Sequence, residues 1–170
     1  LPILVNAFSE YARTPALEFT PLDLNALVRE VAELYRVRES GVVIQLQLDE
    51  ALPPVYADAG RMRQMLHNLL KNAQEALEGR KGGRVKITTH YYHRGAEQMA
   101  EIVVEDNGPG FNTDILGKAF EPYVTSKPKG TGLGLAIVKK LAEEHGGSIR
   151  AHNNSEGGAR LIIRLPVTEK

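Results

Sequence analysis

The fold turns on the stretch Glu101-Ile102-Val103-Val104-Glu105-Asp106-Asn107-Gly108-Pro109-Gly110. A β-branched run leads into an acidic pair and then halts at glycines around a proline, which reads as the end of a strand from about Gln98 to Asp106. Asp106 is in phase with Ile102 and Val104, so its carboxylate points to their side of the sheet. If that side is the core, the charge needs a partner, because an unpartnered buried carboxylate is expensive and the chain supplies no adjacent Arg or Lys. Two readings stay open at this point: the carboxylate caps the turn that follows, or it recognises a ligand. Gly108 and Gly110 permit positive φ or close approach of a ligand to the backbone, and Pro109 stiffens the turn.

Working outward, a partner strand is expected over Arg84 to His93, across a loop around Gly95. Upstream of it, Asp58 can cap a long helix with Met62, Met65, Leu66, Leu69, Ala73, Ala76 and Leu77 on one face, stopped by Gly79. An earlier helix after Asp23 carries the stripe Leu27, Val28, Val31, Leu34 and Tyr35 and ends at Gly41. Val42, Ile44, Leu46 and Leu48 alternate with Val43, Gln45 and Gln47 as a half-buried strand that Pro53-Pro54 breaks. Downstream, a glycine-punctuated stretch from Asn107 to Gly132 is too long for an idle connection in a compact domain. A helix through Leu135, Ile137, Val138 and Leu141 then ends at Gly146-Gly147. Ser148 to His152 and Ala159 to Leu165 read as strands joined at Gly157-Gly158. Five strands with interspersed helices predict an α/β layered domain. Leu1 to Arg13 has a helical period that stops before Thr14-Pro15, as a helix end entering a linker would.

The chain has 170 residues, enough for one domain and a little more. Lys plus Arg is 21 and Asp plus Glu is 21, with no block of five like charges, which argues against a purely electrostatic binder of nucleic acid or membrane. The absence of cysteine excludes disulfides, thiolate catalysis and every Cys-ligated metal site. The longest apolar runs, such as Leu161 to Ile163, fall far short of a spanning helix, so a soluble chain is expected. It starts without Met or the pattern of a signal peptide and reads as a piece of something longer. Glycine, at 16 residues, exceeds the usual ~7%.

Two further constellations carry chemistry. On the Asp58 helix, Asn68, Asn72 and Glu75 fall at i, i+4 and i+7 and make a polar line on a mostly apolar helix. Such a line is often a solvated face, but asparagine is a mediocre helix former whose carbonyl oxygen is a hard ligand suited to Mg²⁺. The run Lys127-Pro128-Lys129-Gly130-Thr131-Gly132-Leu133-Gly134-Leu135 opens the last long helix, where unpaired N–H groups and the helix dipole favour an anion such as phosphate. It is neither a P-loop, lacking Gly-Lys-Ser/Thr, nor a Rossmann fingerprint, since no strand runs into it. The histidines His67, His90, His93, His145 and His152 form no His-Glu-x-x-His pattern. Asn153-Asn154-Ser155 matches a glycosylation acceptor without a secretory context. Tyr91 and Tyr92 have no basic stripe beside them and read as strand packing.

In order, these constellations resemble the catalytic ATP-binding domain of two-component sensor histidine kinases, within the superfamily that includes gyrase, MutL and a large heat-shock chaperone. Asp58-x-x-Arg61-Met62-x-Gln64-Met65-Leu66-x-Asn68-Leu69-Leu70-x-Asn72-Ala73 resembles the family's asparagine box. Asp106 to Gly110 resembles the first glycine box, Phe120-Glu121-Pro122-Tyr123 the phenylalanine box and Gly130 to Leu135 the second glycine box. The resemblance covers about Thr20 to the C-terminus, and the pattern Phe8 to Arg13 with the linker is similar to nitrogen-regulation sensors of the NtrY kind.

The resemblance implies a two-layer α/β sandwich of the Bergerat type, with a mixed sheet of about five strands and about three helices. Residues 1–19 would be the end of a dimerisation and phosphoacceptor helix plus linker, and 20–170 the catalytic domain. Asn72 would hold Mg²⁺ bridging the phosphates of ATP, with Asn68 and Lys71 approaching them. Asp106 would accept from the adenine exocyclic amine, Gly110 would line the base pocket, and Gly108 would belong to the nucleotide site. Phe120 to Lys129 would form a mobile lid with Thr125 in it and Lys127 and Lys129 near the γ-phosphate. Gly130, Thr131, Gly132, Leu133, Gly134 and Leu135 would complete the nucleotide site. Glu75 departs from the basic residue many sensor kinases carry there and receives no role.

Two absences shape the expected function. The superfamily's ATPases carry a general-base Glu four residues before the metal-binding Asn, and here that place is Asn68, which cannot take a proton from water. None of the histidines is followed by the Glu/Asp-Leu-Arg-x-Pro pattern of a phosphoacceptor box. The resemblance therefore implies transfer of the γ-phosphate to a histidine in an upstream helical domain, with a homodimeric parent and a response-regulator receiver domain as partners. Nucleic acid and membrane contacts are not expected of this cytoplasmic portion, whose parent can be anchored in the inner membrane. The rivals are a clamp-type ATPase of the same superfamily and a module that senses nucleotide without transfer.

Overall fold

Asp58 does start the long helix, and the rest of the domain is arranged on it. Its Oδ1 accepts the Arg61 N–H at 2.9 Å, an N-cap that satisfies one of the helix's orphan donors. The computed structural model describes residues 16–38, 41–122 and 134–168. Within these, the elements are β1 (Thr20–Leu22), α1 (Leu24–Arg38), β2 (Val43–Gln47), β3 (Val55–Ala57), α2 (Ala59–Ala76), β4 (Arg84–Arg94), β5 (Glu97–Asp106), α3 (Thr113–Leu116), α4 (Gly134–Glu144), β6 (Ser148–Asn153) and β7 (Ala159–Pro166).

Five strands form one mixed sheet in the order β2-β4-β5-β7-β6. β2 runs parallel to β4, and every other pair is antiparallel. β5 lies at the centre, with Ile102, Val104 and Asp106 on the face that the helices cover. Ile44, Val85, Ile87, Ile102, Val104, Leu161, Ile163 and Leu165 from the sheet meet Val28 and Val31 of α1, Met65, Leu66 and Leu69 of α2 and Val138 and Leu141 of α4 in one core. The sheet's other face is open, and there Arg164 pairs with Glu101 at 2.9 Å across β5 and β7. The expected two-layer architecture is what the helices and the sheet form.

Three details differ from the sequence reading. Leu34, assigned to the apolar stripe of α1, is 49% exposed. At 100° per residue it falls at the rim of the stripe centred on Val31 and Tyr35. A separate two-stranded antiparallel sheet pairs β1 with β3, and the short α3 follows the glycine turn, capped by Asn112 accepting from Asp114 N–H at 2.9 Å. Neither has a period long enough to read from sequence.

The small sheet ties the start of the described chain to the helical layer. The Glu18 N–H donates to Asp58 Oδ2 at 2.9 Å. Phe19 stacks on His145 at 5.0 Å and meets Tyr56 edge-on. His145 lies just beyond α4 and is buried; its Nε2 accepts the Asp58 N–H at 3.1 Å while its Nδ1 meets the Leu141 carbonyl at 2.7 Å. A ring that donates at Nδ1 and accepts at Nε2 satisfies both contacts as the neutral tautomer.

Candidate functional site

The site is built where β5 ends against the last turn of α2. Asp106 closes β5 and is only 6% exposed. Its Oδ1 accepts the Gly108 N–H at 2.8 Å and, more weakly, the Ala159 N–H at 3.4 Å. The carboxylate, which has no adjacent Arg or Lys in the sequence, accepts from backbone donors, and the turn-capping reading holds for this oxygen.

Glycine makes the surroundings tight. A Cβ on Gly108 would come within 2.9 Å of both the Ala76 carbonyl and Asp106 Oδ1, so the turn lies directly on the end of α2. Gly110 has φ +79°, in the left-handed region that glycine adopts without strain. Asn107 holds the turn from the other side. Its Oδ1 accepts the Arg84 N–H at 2.7 Å, its Nδ2 donates to Gly82 O at 3.0 Å, and its carbonyl accepts from the Arg80 guanidinium at 2.9 Å. The loop after α2 and the turn after β5 therefore form one hydrogen-bonded unit.

On α2, Asn68, Asn72 and Glu75 are half-buried and Lys71 is exposed. The Asn68 Nδ2 donates to Gly134 O across 3.5 Å, linking the polar line of α2 to the first residue of α4. The structure thus brings Asn68 and Gly134 together, and joins Asp106 and Gly108 in one turn with Gly110 after them. Leu135 and Phe120 are half-buried and pack against the core, one on each side of the glycine-rich run. Thr125, Lys127, Lys129, Gly130, Thr131, Gly132 and Leu133 lie outside the described residues.

Two residues near the site escaped the sequence reading. Asn153 binds both backbone groups of Phe111, accepting its N–H at 2.7 Å and donating to its carbonyl at 2.9 Å. Gly158, at φ +98°, lies so close to the Asp106 carbonyl that a Cβ there would collide with it. The local signals are the pair Gly157-Gly158, which reads as a turn between strands, and Asn153 within a triplet that matches a glycosylation acceptor.

Asp58 illustrates the opposite kind of carboxylate. Burial pushes its pKa up, but the N–H groups of Glu18 and Arg61, helped by the nearby Arg61 charge, more than offset this and hold it below the usual carboxylate range. Among the described residues no group of three or more His, Cys, Asp or Glu is placed to hold a metal ion, and no helix is long and apolar enough to cross a membrane.

Comparison with known proteins agrees with this geometry. The model of the histidine kinase-, DNA gyrase B-, and HSP90-like ATPase family matches residues 57–169. The nitrogen regulation protein NtrY of Azorhizobium caulinodans is 37% identical over 168 residues, covering 95% of this chain and 21% of the relative. The chain spans about a quarter of the length of the curated relatives it matches. The structure of full-length ShkA in complex with AMPPNP superposes with a TM-score of 0.82 at 32% identity, over 99% of this chain and 36% of that one. Histidine kinase ThkA in complex with the response regulator TrrA gives 0.79 at 32% identity, over 98% and 47% of the two chains. The mixed sheet under three long helices, the buried aspartate in its glycine turn and the match from residue 57 to residue 169 make one conclusion: the chain belongs to the histidine kinase-, DNA gyrase B-, and HSP90-like ATPase family.

Proposed function

We propose that this chain is the catalytic ATP-binding domain of a sensor histidine kinase, which holds Mg-ATP and presents the γ-phosphate to a histidine on an upstream helical domain. The observation that carries the reading is Asp106. A carboxylate 6% exposed, on the helix-covered face, with glycines beside it and the end of α2 against its turn, offers a charged acceptor in a space shaped by the absence of side chains. An exocyclic amine such as that of adenine is the matching donor. The AMPPNP bound by the ShkA neighbour supports an adenine nucleotide as the ligand.

Asn72 and the phosphates together would hold Mg²⁺, since its carboxamide oxygen is a hard ligand and Mg²⁺ is commonly shared between few protein groups and a polyphosphate. When bound, Mg²⁺ neutralises phosphate charge for in-line transfer. Asn68, whose amide joins α2 to Gly134, cannot accept a proton from water, and this favours transfer to a histidine over hydrolysis. Lys71, Lys127 and Lys129, with Gly130 to Leu135, are assigned to the phosphates and lid. Residues 1–19 are assigned to the end of the phosphoacceptor helix and its linker, and 20–170 to the catalytic domain. The NtrY relative and the ThkA–TrrA complex support a place in two-component signalling. There a second copy of the parent and a receiver domain are the partners, and the domain works in the cytoplasm.

The test mixes this chain with radiolabelled ATP and the separately made phosphoacceptor domain of its parent. Slow, acid-labile labelling of the partner is expected, with neither self-labelling nor appreciable phosphate release by the chain alone. Brisk phosphate release alone would identify a clamp-type ATPase, and binding without transfer a sensing module.

A further inference from the structure

We propose that Asn153 is a positioning residue for base selectivity, fixing the far end of the turn that carries Asp106. The inference rests on the reading of Asp106 as the acceptor of the adenine amine.

Asn153 ends β6 on the edge of the sheet and is exposed. Its carboxamide closes a ring with the backbone of Phe111, 42 residues upstream, through two bonds of 2.7 and 2.9 Å. The side chain thereby acts as one rung of a ladder, offering an acceptor and a donor at the spacing a neighbouring strand would. Only a carboxamide offers both, for a hydroxyl reaches one of the two groups and a carboxylate repels the Phe111 carbonyl. The same Oδ1 stands 2.8 Å from where a Cβ on Gly110 would be, so Asn153 and Gly110 are fitted to each other.

The consequence lies in what the turn has to hold it. Its start is fixed by Asp106 Oδ1 on Gly108 N–H and by the bonds of Asn107 to Arg84 and Gly82. Its end, Gly110 and Phe111, is fixed by Asn153. Between these anchors Pro109 stiffens the middle of the turn, and the freedom that remains lies at Gly110, a residue type with wide conformational freedom. Without Asn153, Gly110 is free to rotate, and the turn no longer presents a single surface to the base edge that Asp106 reads. Because Asn153 is exposed, removing it takes no apolar surface out of the core, so its loss is expected at the ligand rather than in the fold.

The experiment measures binding of ATP, adenosine and GTP to the wild-type chain, Asn153→Ala, Asn153→Ser and Asn154→Ala, together with thermal melts. Asn153→Ala is expected to lose about tenfold in affinity for ATP and for adenosine alike, and the preference for ATP over GTP should shrink by a similar factor. Its melting midpoint should stay within about 2 °C of wild type. Asn153→Ser keeps one bond and should fall between, and it carries the same measurement should the alanine variant fail to fold. Asn154→Ala, whose amide reaches Glu105 at 3.4 Å, should change neither quantity. An unchanged ATP-to-GTP ratio in Asn153→Ala, or a loss that follows the melting temperature while the ratio holds, overturns the inference. A wild-type chain that binds no adenine nucleotide overturns the proposed function, and this inference with it.

Discussion

Asp58 and Asp106 are two aspartates of almost equal burial, 7% and 6% exposed, and they stand at opposite ends of the same helix. Both accept backbone N–H groups. What differs is their company. Around Asp58 the space is filled: Phe19 stacks on His145, and His145 in turn holds the Asp58 N–H. Around Asp106 the neighbours are Gly108 and Gly158, where a Cβ would collide with existing backbone. A buried charge surrounded by aromatic rings serves the fold, whereas one surrounded by glycines is, on the function proposed above, part of a surface that a nucleotide completes.

The comparison can be broken most directly at Asp58. Replacing it by Ala removes the N-cap of α2 and orphans the Glu18 N–H, at a cost of about 2 to 3 kcal/mol. A drop in melting midpoint of about 4 to 12 °C is expected, with ATP affinity of the folded protein unchanged. A variant that melts like wild type would show that the cap is dispensable.

Asp106→Asn should invert that pattern. The amide keeps an Oδ1 acceptor for Gly108, so the melting midpoint should move little, while loss of the charge weakens the bond to the adenine amine by roughly 1.5 to 3 kcal/mol, about ten-fold to a hundred-fold in affinity. Calorimetric titration decides it, and equal affinity of the variant and the wild type removes Asp106 from the site. Truncation to Ala is the poorer test because it also orphans Gly108 N–H.

The smallest effect is in acid. The folded Asp58 has its pKa below the ordinary value, so its contribution is fully present above the unfolded pKa of about 3.9 and is lost as pH falls through the folded value. Melting midpoints followed from pH 6 to pH 3 should fall less steeply in Asp58→Asn than in wild type. Parallel curves would mean that the carboxylate gains nothing from its N–H partners.

The sequence made α2 legible because its cap and its stripe are both local, and made Asp106 legible because strand phase alone sets its side. It left the small sheet unread: Thr20-Pro21-Leu22 and Val55-Tyr56-Ala57 are too short for a period, and Pro21 argues against a strand except at an edge. His145 and Asn153 were passed over for a common reason. Each has a backbone partner far along the chain, Asp58 N–H 87 residues away for one and Phe111 for the other, and backbone partners leave no mark on residue identity. The polar knot in which Thr89 donates to Asn25 at 2.8 Å and accepts from Asp49 N–H at 2.9 Å went unread on the same ground.

The central place of β5 has a consequence in time. A strand hydrogen-bonded on both sides, by β4 and by β7, and roofed by α2 exchanges its amide hydrogens only when the domain as a whole unfolds, whereas edge strands open by local fluctuation. Asp106 is the last residue of that strand. Its carboxylate is thereby joined to the slowest-opening strand of the molecule, one residue past the last β5–β7 pair at Glu105 and Arg160 and still in register with Val85 of β4.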